Sequence, residues 1–376
     1  MLTAARRTGL GVKMVGSGHS FTDIAVANEL MLRPDRLVGI RSVDRDAMTV
    51  TALSGTPLHV LNDRLHAMGL ALHNLGDIGQ QTIAGAISTG THGTGGFWAS
   101  LSAQVAGLEI VTADGAVVQT STSRDVELFH AARVGLGALG IITAVTVMVE
   151  PAFTLDAVEQ PLRWDEAVDR YEQLVSENHH LDMYWFPHTD TMLVKRNNRA
   201  VDSAQPLSSM RAWVEDELVA NTIFGAVNRL GNTIPRTVPW LNRISARALT
   251  ARSYSDASHR VLTSPRRVVF KEMEYALPRE VGITALAEVR GSDRTVVVGD
   301  QLSRRDPVHP RRRHLAVDRE RPGVGLPGLP RQRADRPHAV LLGRRAIAQG
   351  VRRAPPLGQA AHANRGGPRP LLRPLG

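Results

Sequence analysis

The sequence predicts an α+β protein of two domains that is not of the Rossmann type, followed by a tail of different character. Three observations carry this. Helical and strand-like patterns are mixed through the first 300 residues, enough chain to bury two sizeable cores. Composition changes near Pro151, after which residues 151–264 hold most of the aromatics. Finally, Gly135-Leu-Gly137-Ala-Leu-Gly140 spells the dinucleotide fingerprint as text, but in the order helix, glycines, strand. A dinucleotide site needs the reverse order, so that a pyrophosphate meets a helix N-terminus, and the glycines here read as a tight turn. The expected boundaries are 1–150, 151–300 and 301–376.

The elements follow in order. Thr3 to Thr8 reads as the last turns of a helix, with Gly9 or Gly11 as its C-cap and Val12 to Val15 as a strand. No N-cap signal precedes that helix, so an incomplete start is expected. Met48 to Ala52 alternates as a strand, and Pro57 to Met68 has helical spacing through Leu58, Val60, Leu61 and Leu65. Asn74 to Gly96 is rich in Gly, Thr and Ser, with a short apolar helix inside it. Gly107 to Thr112 and Ala116 to Thr120 flank Ala113-Asp114-Gly115 as a hairpin. A helix over Val126 to Arg133 leads through the glycines to the strand Ile141 to Val149. Beyond the boundary, helices are expected at Trp164 to Asn178 and Pro206 to Arg229, and strands at Leu181 to Phe186 and Val268 to Tyr275.

The tail is a different kind of sequence. Residues 301–376 contain no Phe, Trp, Tyr or Lys, but 17 Arg and 11 Pro against four acidic side chains. That is +13 of the chain's net +9, which leaves −4 on the first 300 residues, so nucleic-acid binding is not expected from the basic total. Such a composition cannot build a core and reads as a disordered basic tail. A change of reading frame explains it more fully. Leu302 to Arg313, back-translated with allowed codons and slid by one base, reads FPVEIRFTPAD. The same slide turns Val351 to Ala360 into YGGRPHWGK and Gly323 to Pro330 into AWAYLAF. Three apolar or aromatic strings in one common frame place the expected change between about Arg290 and Leu302.

There is no Cys, hence no disulfide, thiolate nucleophile or cysteinyl cofactor link, and no metal site is expected. No run reaches 18 apolar residues, and the expectation is a soluble, cytoplasmic chain, with peripheral membrane association left open.

Two motifs carry chemistry. In Val15-Gly-Ser-Gly-His-Ser-Phe-Thr22, two glycines after a strand let successive N–H groups turn inward as an anion nest. Ser17, Ser20 and Thr22 add hydroxyls, and His19 sits at the centre. A hairpin-like turn with a surface histidine is the alternative; a Ser–His hydrolase is disfavoured because Gly-x-Ser-x-Gly is unmatched. The second motif, GDIGQQTIAGAISTGTHGTG from Gly76 to Gly95, suits a backbone laid flat against a phosphate-bearing cofactor with a flat ring. Alone it could be a loop; its pairing with the first motif is the specific signal.

With these motifs, VGLGALGIITAVTV, Tyr184 to Asp190 (YWFPHTD) and Phe270 to Glu280 (FKEMEYALPRE), the chain resembles the vanillyl-alcohol-oxidase-type FAD oxidases over nearly all of Val12 to Glu280. Within them it is similar to the sugar-1,4-lactone oxidases and alditol oxidases. The resemblance implies a PCMH-type FAD domain joined to an α+β substrate domain. It implies FAD bound by Gly16, Ser17, Gly18, His19, Ser20, Phe21, Thr22, Gly76, Asp77, Thr82, Gly85, Ala86, Thr89, His92 and Gly93, with Gly140 and Ile141 closing one side. It also implies covalent attachment of the flavin through His19, consistent with neutral imidazole as a nucleophile. Hydride transfer from a sugar lactone or polyol to flavin N5 would follow, with oxygen or another acceptor taking the electrons. The family's Glu-x-Arg strand and its His-Trp-Gly-Lys string fall in the shifted frame. The implied alternatives are therefore an active sugar-lactone oxidase, an alditol oxidase, or an inactive flavin-binding remnant.

Overall fold

A computed structural model describes residues 2–95, 100–201, 204–208, 210, 224–264, 273–291, 295–299 and 338–344. The chain opens with helix α1 (Leu2–Arg7) and a parallel pair, β1 (Val12–Met14) beside β2 (Leu30–Leu32). An antiparallel sheet then assembles from β3 (Ile40–Asp44), β4 (Thr49–Leu53), β6 (Val105–Val111), β7 (Val117–Ser121) and β8 (Ile141–Met148), in the order β3-β4-β8-β6-β7. The small pair β5 (Leu70–Ala71) and β9 (Glu150–Pro151) closes the domain's end.

Hydrophobic spacing places its helices. On α2 (Leu58–Ala67), Leu58, Leu61 and Leu65 fall on one face and are fully buried. They meet Ile83 and Ile87 of α3 (Ile83–Ser88), Phe129 of α4 (Val126–Ala132), and the inward residues Val50, Leu108, Ile110, Val145 and Val147 of the sheet. Each such side chain contributes roughly 1.5–3 kcal/mol on burial. This core fixes α3, the helix inside the glycine-rich passage.

The second domain is built on a sheet of seven strands: β10 (Thr154–Arg163), β11 (His180–Trp185), β12 (Thr191–Arg199), β13 (Arg252–Ala257), β14 (Met273–Pro278), β15 (Thr295–Gly299) and β16 (His338–Arg344). Their order is β13-β10-β12-β11-β15-β16-β14. Alternation gives this sheet two unlike faces. Leu181, Met183, Trp185, Met192 and Val194 point into a core with α5 (Trp164–Asp169), α6 (Tyr171–Glu177) and the helix Arg279–Gly291. Trp164 and Trp185 meet edge to face at 5.4 Å. The opposite face carries His180, Asp182, Tyr184 and Lys195, and it is turned to the first domain.

The expected elements differ from the structure at four places. The helix over Trp164 to Asn178 is broken at Arg170, whose φ of −93° and ψ of 5° leave the helical basin. The break lets both Trp164 and Tyr171 reach the core. The helix expected from Pro206 is not one at its start: Gln205 exchanges backbone and side-chain hydrogen bonds with Ser255 of β13 at 2.7–3.1 Å. Its described part, Phe224–Thr233, runs four residues past Arg229, while 211–223 lie outside the described residues. The strand expected over Val268 to Tyr275 is described from Met273 to Pro278, and 268–272 lie outside. Within the segment expected to be a structureless tail, 338–344 (HAVLLGR) forms β16 between β15 and β14.

Candidate functional site

The two glycine-bearing motifs meet. A Cβ on Gly16 would stand 2.6 Å from Oγ1 of Thr82 and 3.6 Å from Cα of Gly85, so the two motifs pack closely there and a side chain would press on the Thr82 hydroxyl. Thr82 holds its place by capping α3, its Oγ1 accepting the Gly85 N–H at 3.2 Å. The N–H groups of Ile83 and Ala84 in turn donate to the carbonyls of Thr56 and Ser54 at the end of β4. The third wall comes from the turn before β8. Gly140 has φ of +142° and lies so close to β6 that a Cβ would meet the Val111 carbonyl at 2.7 Å.

These walls line a cleft that opens to solvent. Of the expected residues, Gly16, Ser17, Gly18, His19, Ser20, Thr82, Gly85, Thr89 and Gly140 line it. Ala86 is wholly buried in the core beneath α3, and it is Ile142, one residue after the expected Ile141, that faces the cleft. Phe21 and Thr22 are exposed beyond its rim. Lys13, Gln81 and Ser88 also line it and were not expected; Lys13 precedes the motif by two residues, where strand alternation could have found it.

The lining fits FAD. It offers the hydroxyls of Ser17, Ser20, Thr82, Ser88 and Thr89 and the ammonium of Lys13, with no carboxylate, as a pyrophosphate requires. Gln81 donates from Nε2 to Thr91 Oγ1 at 3.1 Å, but its buried Oε1 has no partner among the described residues. That is an acceptor in want of a donor from outside the chain.

The remaining expected residues, Gly76, Asp77, His92 and Gly93, flank α3 on the side facing the second domain. A Cβ on Gly93 would sit 2.0 Å from the Leu75 carbonyl, which locks the two flanks together. Asn74 accepts from His180 Nε2 at 3.3 Å, and Thr94 Oγ1 donates to Asp182 at 3.2 Å. The Asp77 carbonyl accepts the Ser264 N–H at 2.9 Å, and His92 pairs with Glu274 of β14. Burial, reinforced by His179, pushes the His180 imidazole down to about 3, so it is neutral at pH 7.

Across this polar face runs a row of alternating charges. In strand register Asp182 on β11 stands opposite Lys195 on β12, Lys195 opposite Glu159 on β10, and Glu159 opposite Arg252 on β13. Glu159 is 5% exposed and takes Lys195 at 3.2 Å and Arg252 at 2.7 Å. Burial opposes charge at both Glu159 and Lys195, yet their partners outweigh it: the Glu159 carboxyl is lowered by Lys195 and Arg252, and the Lys195 ammonium is raised by Tyr184, Glu159, Asp77 and Asp182. The row was not legible in the sequence, because it exists only once four strands are in register. Among the described residues no group of three or more His, Asp or Glu is placed to hold a metal ion.

The profile of FAD-binding domains matches residues 1–121, and that of D-arabinono-1,4-lactone oxidase matches residues 145–304. The L-gulono-1,4-lactone dehydrogenase of Mycobacterium tuberculosis is 35% identical over 289 residues, covering 77% of this chain and 67% of the relative. The chain belongs to this family of FAD-binding sugar-1,4-lactone oxidoreductases. Mouse L-gulonolactone oxidase is 32% identical over 292 residues, 77% of this chain and 66% of its own. The D-arabinono-1,4-lactone oxidase of Eremothecium gossypii is 29% identical over 248 residues, 65% of this chain and 46% of its own. The chain thus spans about two thirds of its mycobacterial and mouse relatives and under half of the fungal one. Cholesterol oxidase from Brevibacterium sterolicum shares the fold, with a TM-score of 0.70 at 18% identity, covering 92% of this chain and 74% of that one. Among the described residues no helix is long and apolar enough to cross a membrane.

Proposed function

We propose that this family member binds FAD in the cleft between Gly16 and Gly140, and that the fold serves oxidation of a sugar-1,4-lactone at a carbinol carbon. The observation that carries the reading is the meeting of Gly16 with Thr82 and Gly85, which sets both motifs on one carboxylate-free, hydroxyl-rich cleft. When bound, FAD supplies the two-electron acceptor for a hydride. The chain's part is to bind and orient. Ser17, Ser20, Thr82 and Thr89 offer hydrogen bonds to a phosphate-bearing group, Lys13 offers charge, and Gly16 and Gly85 allow close approach. Exposed His19 at the rim is the proposed covalent anchor. The substrate lies on the second domain's side, toward Asp182 and Tyr184; a lactone is favoured over an alditol by the relatives' names, and the electron acceptor is oxygen or another oxidant.

Turnover is a separate matter. Neither the phenylalanine-rich strand with Glu-x-Arg nor the His-Trp-Gly-Lys string stands in the chain as written. The lactone-oxidase match stops at residue 304, close to where composition changes, which supports a change of frame between about Arg290 and Leu302. On this reading the 376-residue chain holds flavin without turning over lactones. Purified protein should be yellow, and the colour should precipitate with it in acid; His19→Ala should release the flavin on denaturation while still binding it in the native state. Colourless protein at saturating FAD would refute the cleft assignment, and acid-stable colour in His19→Ala would refute the anchor. The gene's second frame, read through the tail, must encode strings like FPVEIR and HWGK, or the frame reading is wrong.

A further inference from the structure

The row Asp182–Lys195–Glu159–Arg252 is costly for a structural feature. Charges on a half-buried sheet face lose hydration, and replacing such a group by apolar residues of similar volume is often neutral or stabilising. Its arrangement, however, is directional. It begins at Arg252, passes through buried Glu159, and ends on Asp182, whose carboxylate receives the hydroxyl of Thr94 at 3.2 Å. Thr94 belongs to the glycine-rich passage, and so does Asp77, whose charge is felt by Lys195. The outer flank of the passage meets the second domain at Thr94, at His92 with Glu274, and at Gly95, which lies against His180 with φ of +125°, a Cβ there meeting the ring at 2.5 Å. The row adds fixed charge to this contact.

We propose that Lys195 is a positioning residue for the flavin: held by Glu159 and acting through Asp182 on Thr94, it fixes the outer flank of the passage 76–95 against the second domain and so sets the shape of the cleft on the passage's other side. Tyr184, two residues from Asp182, stands on the same face of β11. The proposal rests on the flavin reading of that cleft. Lys195 is not among the residues that line the cleft, so its influence passes through the passage.

The test uses the full chain in a His19→Ala background, where FAD binding is a reversible equilibrium. Lys195→Met should weaken FAD binding about tenfold, the scale of one networked interaction, and Lys195→Arg should restore most of it. Amide hydrogen exchange should quicken over residues 76–95 in Lys195→Met and stay unchanged in the core-facing strand residues Leu181, Met183, Met192 and Val194. Because Lys195→Met leaves Glu159 with Arg252 as its remaining ion-pair partner in the row and could destabilise the domain, the double variant Lys195→Met/Glu159→Gln is measured beside it and should show the same loss of affinity. Unchanged passage exchange in both variants, or faster exchange confined to the strands, would overturn the proposal. If no variant binds FAD, the flavin reading fails, and the exchange pattern still decides whether Lys195 holds the passage.

Discussion

Lowering the pH from 7 to 5 is expected to cost the fold about 2 kcal/mol through His180 alone. The imidazole is 1% exposed, set between Asn74 of the first domain and His179, whose Nδ1 lies 3.0 Å from its own. Burial first, and then the neighbouring His179, push its pKa down to about 3, whereas in the unfolded chain it titrates near 6.5. Between these values the unfolded chain binds a proton that the folded chain refuses, so stability is complete above about 6.5 and falls with pH until the folded group titrates near 3. At pH 5 the unfolded group sits about 1.5 units below its pKa, which at 1.36 kcal/mol per unit gives about 2 kcal/mol. That magnitude depends only on the folded pKa being well under 5. The assay is urea denaturation at pH 7 and 5 on the parent chain and on His180→Gln, which keeps an amide donor for Asn74. The parent should lose about 2 kcal/mol more than the variant over this range. An equal loss in both would show that His180 accepts a proton in the folded state, and that its burial between the domains is not as described.

Three further outcomes are expected. Gly16→Ala should push its Cβ against Thr82 Oγ1, release the cap of α3 at a cost of about 1 kcal/mol, and lower the flavin-to-protein absorbance ratio; a fully loaded variant of unchanged stability would remove Gly16 from the cradle. The Glu109 carboxyl is held down at about 2 by its paired bonds from Arg41 at 2.7 and 2.9 Å, with help from Thr143 and Gln119. Its contribution is present above about pH 4.5 and lost as pH falls toward 2. The pair is partly exposed, so Arg41→Ala should cost under about 1 kcal/mol at pH 7, and the Glu109 carboxyl carbon should titrate nearer 4.5 by NMR. Anaerobic mixing of the flavin-loaded 376-residue chain with L-gulono-1,4-lactone, D-arabinono-1,4-lactone or xylitol should leave the flavin oxidised, since losing one preorganised donor already costs about 10²–10³ in rate. Rapid bleaching by any of them would show that the tail is dispensable.

Local pattern made the first domain readable. The hairpin around Asp114, the Leu58–Leu61–Leu65 stripe and the strand from Ile141 each state their structure within ten residues or so. The cleft was readable for the same reason: the glycines that leave room for the Thr82 hydroxyl, at Gly16 and Gly85, are visible as letters. What could not be read was which side of α3 each neighbour takes. Asp77 and His92 stand in the same motif as Thr82, yet they turn to the second domain, because the six-residue helix between them spans the first domain's core. The charge row was hidden more deeply, since Asp182, Lys195, Glu159 and Arg252 are separated by up to 93 positions and only strand register joins them.

The glycine-rich passage touches the cleft with its middle and the second domain with both ends. Two equilibria therefore share one segment: filling the cleft, and closing the domains upon each other. If a bound group favours the closed arrangement about tenfold, closure must favour that group by the same factor, because coupling free energy has no direction. A loosened second domain would then be felt as weak cofactor retention, and an empty cleft as a weaker contact between the domains.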